Sequence, residues 1–388
     1  MSFTHRRNQM LLNVLLFILF LNILLNFVSP LIQVYLGIYD TSNVTLIIYL
    51  STLLIFLYKA IQYKLFSINK VTIYGLIIIF FALNYFIFEN SKVHLISNNM
   101  ILIYIFFLPL CIFMISSINY WDDFLIMSNK YSKLAIILSI LILALDLSST
   151  LNYMEFSYGL LPFLCLMLID CLENFKISKL IYLISGVIVL LLFGARSPLL
   201  FLILLLIYWV ITTLSKRRGI IVSFVISISI FFLLININLI FEFLSGINSK
   251  MNSYVLSNLL SGDFFSSNSR LLIYEESREM IKSMGFSMYG LFGDRLLLTG
   301  VYSHNIIYEF LISFGWFFGI SMLLVMLFII LKAYFTSDRN GKLLIVAFTF
   351  ALFARYFVSG SFVMEQMFYI YVAILIAFIS GNKKKRIV

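Results

Sequence analysis

Charged side chains are scarce in this chain. Asp, Glu, Lys and Arg make up 11% of its 388 residues, against about a quarter in a soluble globular domain. Apolar residues take their place, at 62% of the sequence, with a mean hydropathy of +1.06. That balance excludes a soluble enzyme and indicates an integral membrane protein built as one polytopic bundle. Cysteine is nearly absent. Cys111, Cys165 and Cys171 lie in or at the ends of apolar runs, without metal-ligand spacing, so neither a disulfide framework nor a metal site is expected. Histidine is as rare, with only His5, His94 and His304. A titratable ring such as His304, where a long polar segment meets an apolar run, is therefore informative. The formal charge of +10 would suggest a nucleic-acid partner in a soluble chain. Here the basic residues sit in short loops between apolar runs, which is membrane topology; no nucleic acid is implied.

A spanning helix needs about 20 mostly apolar residues. Such runs predict twelve spans, near 10–29, 44–58, 71–88, 100–118, 134–148, 156–172, 180–194, 198–214, 220–241, 304–331, 342–358 and 363–380. The first follows His5, Arg6 and Arg7 and imitates a signal peptide, but it is long and lacks a small-x-small site, so it reads as a retained span. The stretch 180–214 would rise roughly 52 Å as one helix, far beyond a hydrocarbon core of about 30 Å. Gly194-Ala195-Arg196-Ser197-Pro198 divides it, and both outer ends are basic. It is therefore two spans with a tight turn between them. With the N-terminus inside, the cytoplasmic segments hold Arg6 and Arg7, Lys59 to Lys70, Lys130 and Lys133, Lys176 and Lys179, Lys216 to Arg218, Lys332 to Lys342, and Lys383 to Arg386. This positive-inside bias holds at every cytoplasmic loop and places both termini in the cytoplasm.

The layout divides the chain into spans one to nine (1–241), a large external loop (242–303) and spans ten to twelve (304–388). Acids and bases nearly balance in the loop, so it is no crude cationic funnel. Within it, 269–284 predicts an amphipathic helix lying against the bundle at the membrane surface. Arg270 opens a face shared by Ile273, Ser277, Met280, Ile281 and Met284, and Gly285 ends the helix.

Several polar groups gather at the external level in this layout. Arg196 in its Gly- and Pro-bounded turn reads either as an interfacial snorkeller or as a planar fork for phosphate oxygens. Arg270 reads as a solvated loop arginine or as a ligand of the same kind. Arg355, in the outer half of its helix, suits an ion pair with Asp146 or Glu365. Arg278, Lys282 and Arg295 read as surface charges, and Glu275, Glu276 and Glu279 as the solvated face of the loop helix. His304 reads as a helix-capping or interfacial histidine, or as a general base near neutral pH.

The order Ala195-Arg196-Ser197, Ser269-Arg270, Gly285 to Gly293, and His304-Asn305 with Gly315 and Gly319 resembles the O-antigen polymerase and O-antigen ligase family of bacterial membrane glycosyltransferases. The motifs cover about 180–320; outside them, span count and topology agree. The first turn departs from the family's usual Ser-Arg-Gly.

The resemblance implies an all-α, GT-C-like polytopic bundle of about twelve transmembrane helices in the inner membrane. It would polymerise undecaprenyl-diphosphate-linked oligosaccharides into O-antigen, the polysaccharide of lipopolysaccharide, or into capsular or exopolysaccharide chains. No metal or other cofactor is implied, and the loop has no Asp-x-Asp pair. Arg196 and Arg270 would hold the donor diphosphate, with Arg355 and Asn305 as further binding residues, and His304 would take or orient the acceptor hydroxyl proton. Attack from the opposite face would invert the anomeric centre. Membrane lipid and a polysaccharide chain-length regulator are the expected partners. An O-antigen ligase, a lipid-linked oligosaccharide flippase and a small-solute transporter are the alternatives. The long loop and the external clustering favour the polymerase over the flippase.

Overall fold

In hydrocarbon, backbone polar groups have no water to bond, so an apolar chain satisfies them internally as α-helix. The computed structural model describes residues 3–38, 40–97, 107–145, 147, 151–214, 219–222, 224, 242, 244–246, 248–249, 254–261, 268–298 and 302–385. Among the described residues the structure is all-helical, without strands. Eight helices among the described residues are long and apolar enough to cross a membrane, and three shorter apolar helices, Leu108–Ser117, Ile177–Phe193 and Gln366–Gly381, accompany them. Most of the predicted span 220–241 (residues 223 and 225–241), Asp146, residues 215–218 and much of the first half of the external loop lie outside the described residues.

The bundle is built around α7, Tyr153–Glu173, whose residues from Phe156 to Cys171 are all buried. It packs against α1 (Phe3–Leu36), α6 (Phe124–Ala144), α8 (Ile177–Phe193) and α9 (Arg196–Thr213). Close approach is the reason α6 begins at Phe124 rather than near 134. Its first turns carry Ser128, Asn129, Lys130, Ser132 and Lys133, which dilute the hydropathy. Ser128, Ser132, Ala135 and Ser139 nevertheless form a buried small-residue face at helical spacing. Gly186 of α8 has the same use, because a Cβ there would stand 2.4 Å from the Leu164 side chain.

One end of the bundle is tied together by polar contacts among the loops predicted to be basic. The Asn8 amide donates to the Tyr120 carbonyl at 2.7 Å, and Lys70 donates to the Phe113 carbonyl and to Ser117. Glu173 accepts from Trp209 Nε1 and from Arg339 Nη2, each at 2.7 Å. A buried Lys179–Asp170 pair at 2.7 Å closes the turn between α7 and α8.

At the opposite end, three helices break. The turn Gly194-Ala195 separates α8 from α9, with the Ala195 amide donating to Ser157 Oγ at 2.7 Å. The predicted span 304–331 is α13, Ile306–Thr336, and it is not continuous: Gly315 has φ 72° and ψ 175°. A short half-helix, 306–314, folds back there. Gly319 lies so close to it that a Cβ would meet the Phe310 carbonyl oxygen at 2.8 Å. The predicted span 342–358 starts as α14, Arg339–Phe348, then loosens into a π-turn at Thr349–Phe353 and a 3₁₀ turn at Ala354–Phe357. The chain then crosses an irregular stretch to α15, Gln366–Lys385. Apolar content alone reports none of these breaks.

The loop helix predicted at 269–284 is α11, Asn268–Met284. Ile281 and Met284 pack on Leu311 and Ile312 of the half-helix, and Trp316 Nε1 donates to the Ile281 carbonyl at 3.2 Å. Gly285 follows with φ 59°, the left-handed residue that ends such helices. The next strip threads through the kink: the Gly290 amide donates to the Ser313 carbonyl at 3.0 Å, and the Phe286 and Ser287 carbonyl oxygens lie against Gly315.

Gly315 occupies a backbone region open essentially to glycine alone, where other residues cost about 1–3 kcal/mol. Gly315→Ala should therefore lower the melting temperature of the detergent-solubilised protein, whereas Gly75→Ala should not, since α3 (Ile68–Ile87) leaves that Cβ in open space. Equal melting temperatures for Gly315→Ala and wild type would refute the kink.

Candidate functional site

The broken end collects charge. Arg355, predicted to pair with Asp146 or Glu365, pairs with Glu365 at 2.8 Å. Its guanidinium lies 4.4 Å from the centre of the Tyr158 ring on α7, a cation–π contact. Tyr158 in turn bonds Ser197 in the first turn of α9 and feels the charges of both Arg355 and Arg270. The structure thus brings Arg270, Arg355 and the Ser197 end of α9 around one tyrosine. Arg196 is the first residue of α9 and half-buried; it precedes Ser197 in the chain.

Arg270 reaches from the loop helix to the irregular stretch after Phe357, where it donates to the Val358 carbonyl. Among the described residues no carboxylate stands within ion-pair distance of it. Asn305 caps α13: its side-chain oxygen accepts from the Ile307 amide at 2.9 Å, and its Nδ2 lies 3.5 Å from the Phe357 carbonyl. That is a structural use of both ends of the amide. Arg278 and Lys282 are exposed, as are Glu275, Glu276 and Glu279.

Arg295, expected at the surface, is a correction. It is 5% exposed and pairs with the fully buried Asp294 at 3.2 Å. It also lies over the rings of Phe292 and Tyr302, at 4.7 and 5.7 Å. Asp294 takes a second bond, from the Ser303 amide at 3.0 Å. Helix α4, Glu89–Ser97, covers this corner: Ser91 Oγ donates to the Leu291 carbonyl, and the His94 ring stands against Phe292.

Glu309 is the other functional-looking residue that sequence reading passed over. It is 1% exposed, inside the half-helix. Ser361 Oγ donates to its carboxyl, and the Phe362 amide donates to it at 3.1 Å. The Phe310 ring next to it stacks on Phe362 at 4.4 Å. Glu309 therefore clamps the half-helix to the irregular stretch. A carboxyl set in the apolar run Ile306 to Phe314 was the available signal, since charges at membrane depth are costly and usually face the bundle interior. Asp294-Arg295, adjacent in a loop, gave no such signal.

His304 stands between these groups. Its backbone is left-handed, φ 52°, an unusual conformation for histidine. Its ring lies 3.9 Å from the Tyr302 ring, and Nδ1 is buried without a hydrogen-bond partner among the described residues. Burial, then the Arg270 and Arg295 charges, pull its pKa down to about 4. The imidazole is thus neutral at physiological pH, a proton acceptor facing two cations.

A large cavity of about 820 Å³ lies beside this cluster. Arg355 and Glu365 line it, but Arg196, Arg270 and His304 do not. The stretch 355–365 lies between, lining the cavity through Arg355 and Glu365 and accepting the Arg270 hydrogen bond at Val358.

Protonation of His304 gives a pH signature. Between pH 6.5 and about 4 the unfolded chain binds a proton at this ring that the folded protein does not. Stability therefore falls as pH drops through that window and is not lost above it. The melting temperature of wild type should decline more steeply than that of His304→Gln between pH 6.5 and 4.5. Parallel curves would show an unperturbed histidine.

Comparison with known proteins finds no matching family model, no similar curated protein and no similar solved structure.

Proposed function

We propose that this chain is a membrane glycosyltransferase that joins oligosaccharide repeat units carried on undecaprenyl diphosphate, a polymerase of the kind its motifs resemble. The observation that carries the reading is the gathering of Arg270, Arg355 and His304, far apart in sequence, at one broken end of an apolar bundle beside the first turn of α9. In this reading the bundle is GT-C-like and sits in a bacterial cytoplasmic membrane. The basic end and both termini face the cytoplasm, and the charged cluster faces outward.

A diphosphate leaving group gathers negative charge as the glycosidic bond breaks, and fixed guanidinium groups in a low-dielectric site stabilise it. Arg270 supplies that charge, because its described contact is to a neutral carbonyl and several N–H donors remain. Arg196, beside Ser197, supplies a second. The acceptor hydroxyl oxygen attacks the anomeric carbon from the face opposite the diphosphate, the bond to the diphosphate oxygen breaks with its electrons, and the hydroxyl proton passes to His304. His304 is a weak base while two cations face it. An anionic donor offsets those cations and raises its proton affinity, so the base is armed when the donor is bound.

Lipid-linked glycans from a deletion strain complemented with variants test this. Arg270→Ala and His304→Ala should cut long polymer by roughly a hundredfold or more while single repeat units persist on the outer leaflet. Wild-type chain length in a stably expressed Arg196→Ala would remove that residue from the diphosphate site. Units retained in the inner leaflet would point to a flippase instead, and completed polymer left on its lipid carrier to a ligase.

A further inference from the structure

From Val14 onward the long helix α1 is apolar save for Asn22, Asn26, Ser29, Gln33 and Tyr35, and the first four matter here. At 100° per residue these four fall within a narrow arc of one face. Polar side chains at membrane depth are retained where they meet a partner or a water-filled space. All four line the cavity of about 820 Å³, a volume within the roughly 300–1,000 Å³ of small-molecule sites. Gln366, at the start of α15, reaches across the cavity wall and donates to Asn22 Oδ1 at 2.9 Å. Tyr49 of α2 (Ser42–Gln62) bonds Gln366 and stands edge-on to Phe107 at 5.2 Å, so the wall is stiffened by rings and amides together.

Charge decides what such a space takes. Among the described residues, Asp40, Glu155 and Glu365 line it against one guanidinium, that of Arg355, which Glu365 pairs. An anion such as a diphosphate is disfavoured there. Carboxamides and hydroxyls that both donate and accept, carboxylates that accept, and an aromatic face are the groups that bind sugar hydroxyls and the apolar face of a sugar ring.

We infer that this cavity is a saccharide-binding site for the neutral sugars of the acceptor, set apart from the diphosphate cluster. The assignment of an acceptor rests on the function proposed above; the preference for a neutral sugar over an anion rests on the cavity's own groups. Arg355 and Glu365 belong to both regions, so sugars in the cavity end at the wall that carries the charged cluster. Donor phosphates and acceptor sugars are then sorted by charge to opposite sides of residues 355–365.

The test uses purified full-length protein in detergent and two probes. One is the source strain's own repeat-unit oligosaccharide, released from its polyprenyl carrier by mild acid; the other is undecaprenyl diphosphate without sugar. Asn26→Leu and Gln33→Leu should each weaken oligosaccharide binding by about tenfold, the loss of roughly one well-made hydrogen bond. Undecaprenyl diphosphate should bind both variants as it binds wild type, which also shows that they are folded. Should a variant fail that control, Asn26→Ser and Gln33→Ser replace the pair, with the same expectation. Oligosaccharide binding that is equal in wild type and variants, or absent from wild type, overturns the cavity assignment and leaves the proposed transferase intact. Failure of undecaprenyl diphosphate to bind wild type instead sinks the transferase reading, and the oligosaccharide result alone then decides the cavity.

Discussion

Backbone that leaves the helical conformation inside an apolar bundle must find hydrogen-bond partners without help from water, and the stretch after Phe353 lives under that constraint. Its groups are met from three directions. Arg270 of the loop helix donates to the Val358 carbonyl, Asn305 reaches the Phe357 carbonyl, and Glu309 accepts from the Phe362 amide. The Gly360 amide points at Tyr302 Oη, at 3.4 Å. The loop helix, the cap of α13 and the half-helix are thus fastened to one segment, and the charged cluster exists because that segment is irregular.

The same constraint explains why the cluster tolerates so much buried charge. Asp294 and Arg295 neutralise each other and share bonds with the Ser303 amide and the Met364 sulfur. Arg355 and Glu365 do likewise against Tyr158. Buried pairs of this kind contribute little net stability, but removing one partner leaves a stranded charge. What the pairs provide is a fixed position for Arg270 and His304. A residue pinned by backbone bonds, a left-handed histidine and a glycine-only kink hold a geometry that a continuous helix would not present.

Beside this sits a region of different character. The stripe on α1 is amide and hydroxyl where the cluster is guanidinium and imidazole, and the two meet along residues 355–366 and at Glu155 to Gly159 of α7. Under the proposed function the substrate carries two unlike chemistries in one molecule, phosphate and sugar. Separating them by charge lets each be bound without competing for the same groups.

The sequence by itself determined that this is a helical membrane protein. Length and apolar content placed most helices, because a membrane leaves the backbone few other choices: Ser42–Gln62 and Tyr153–Glu173 contain their predicted spans, and Ile68–Ile87 covers all but the last residue of its own. Local signals also found the turn at Gly194-Ala195 and the amphipathic loop helix ending at Gly285. Tertiary structure alone decided that α13 folds back at Gly315, that Arg295 and Asp294 are buried, which groups Glu309 clamps, and that four polar positions on α1 face a common space. Those outcomes depend on which distant backbone and side-chain groups supply partners, and hydropathy along a chain carries no information about partners.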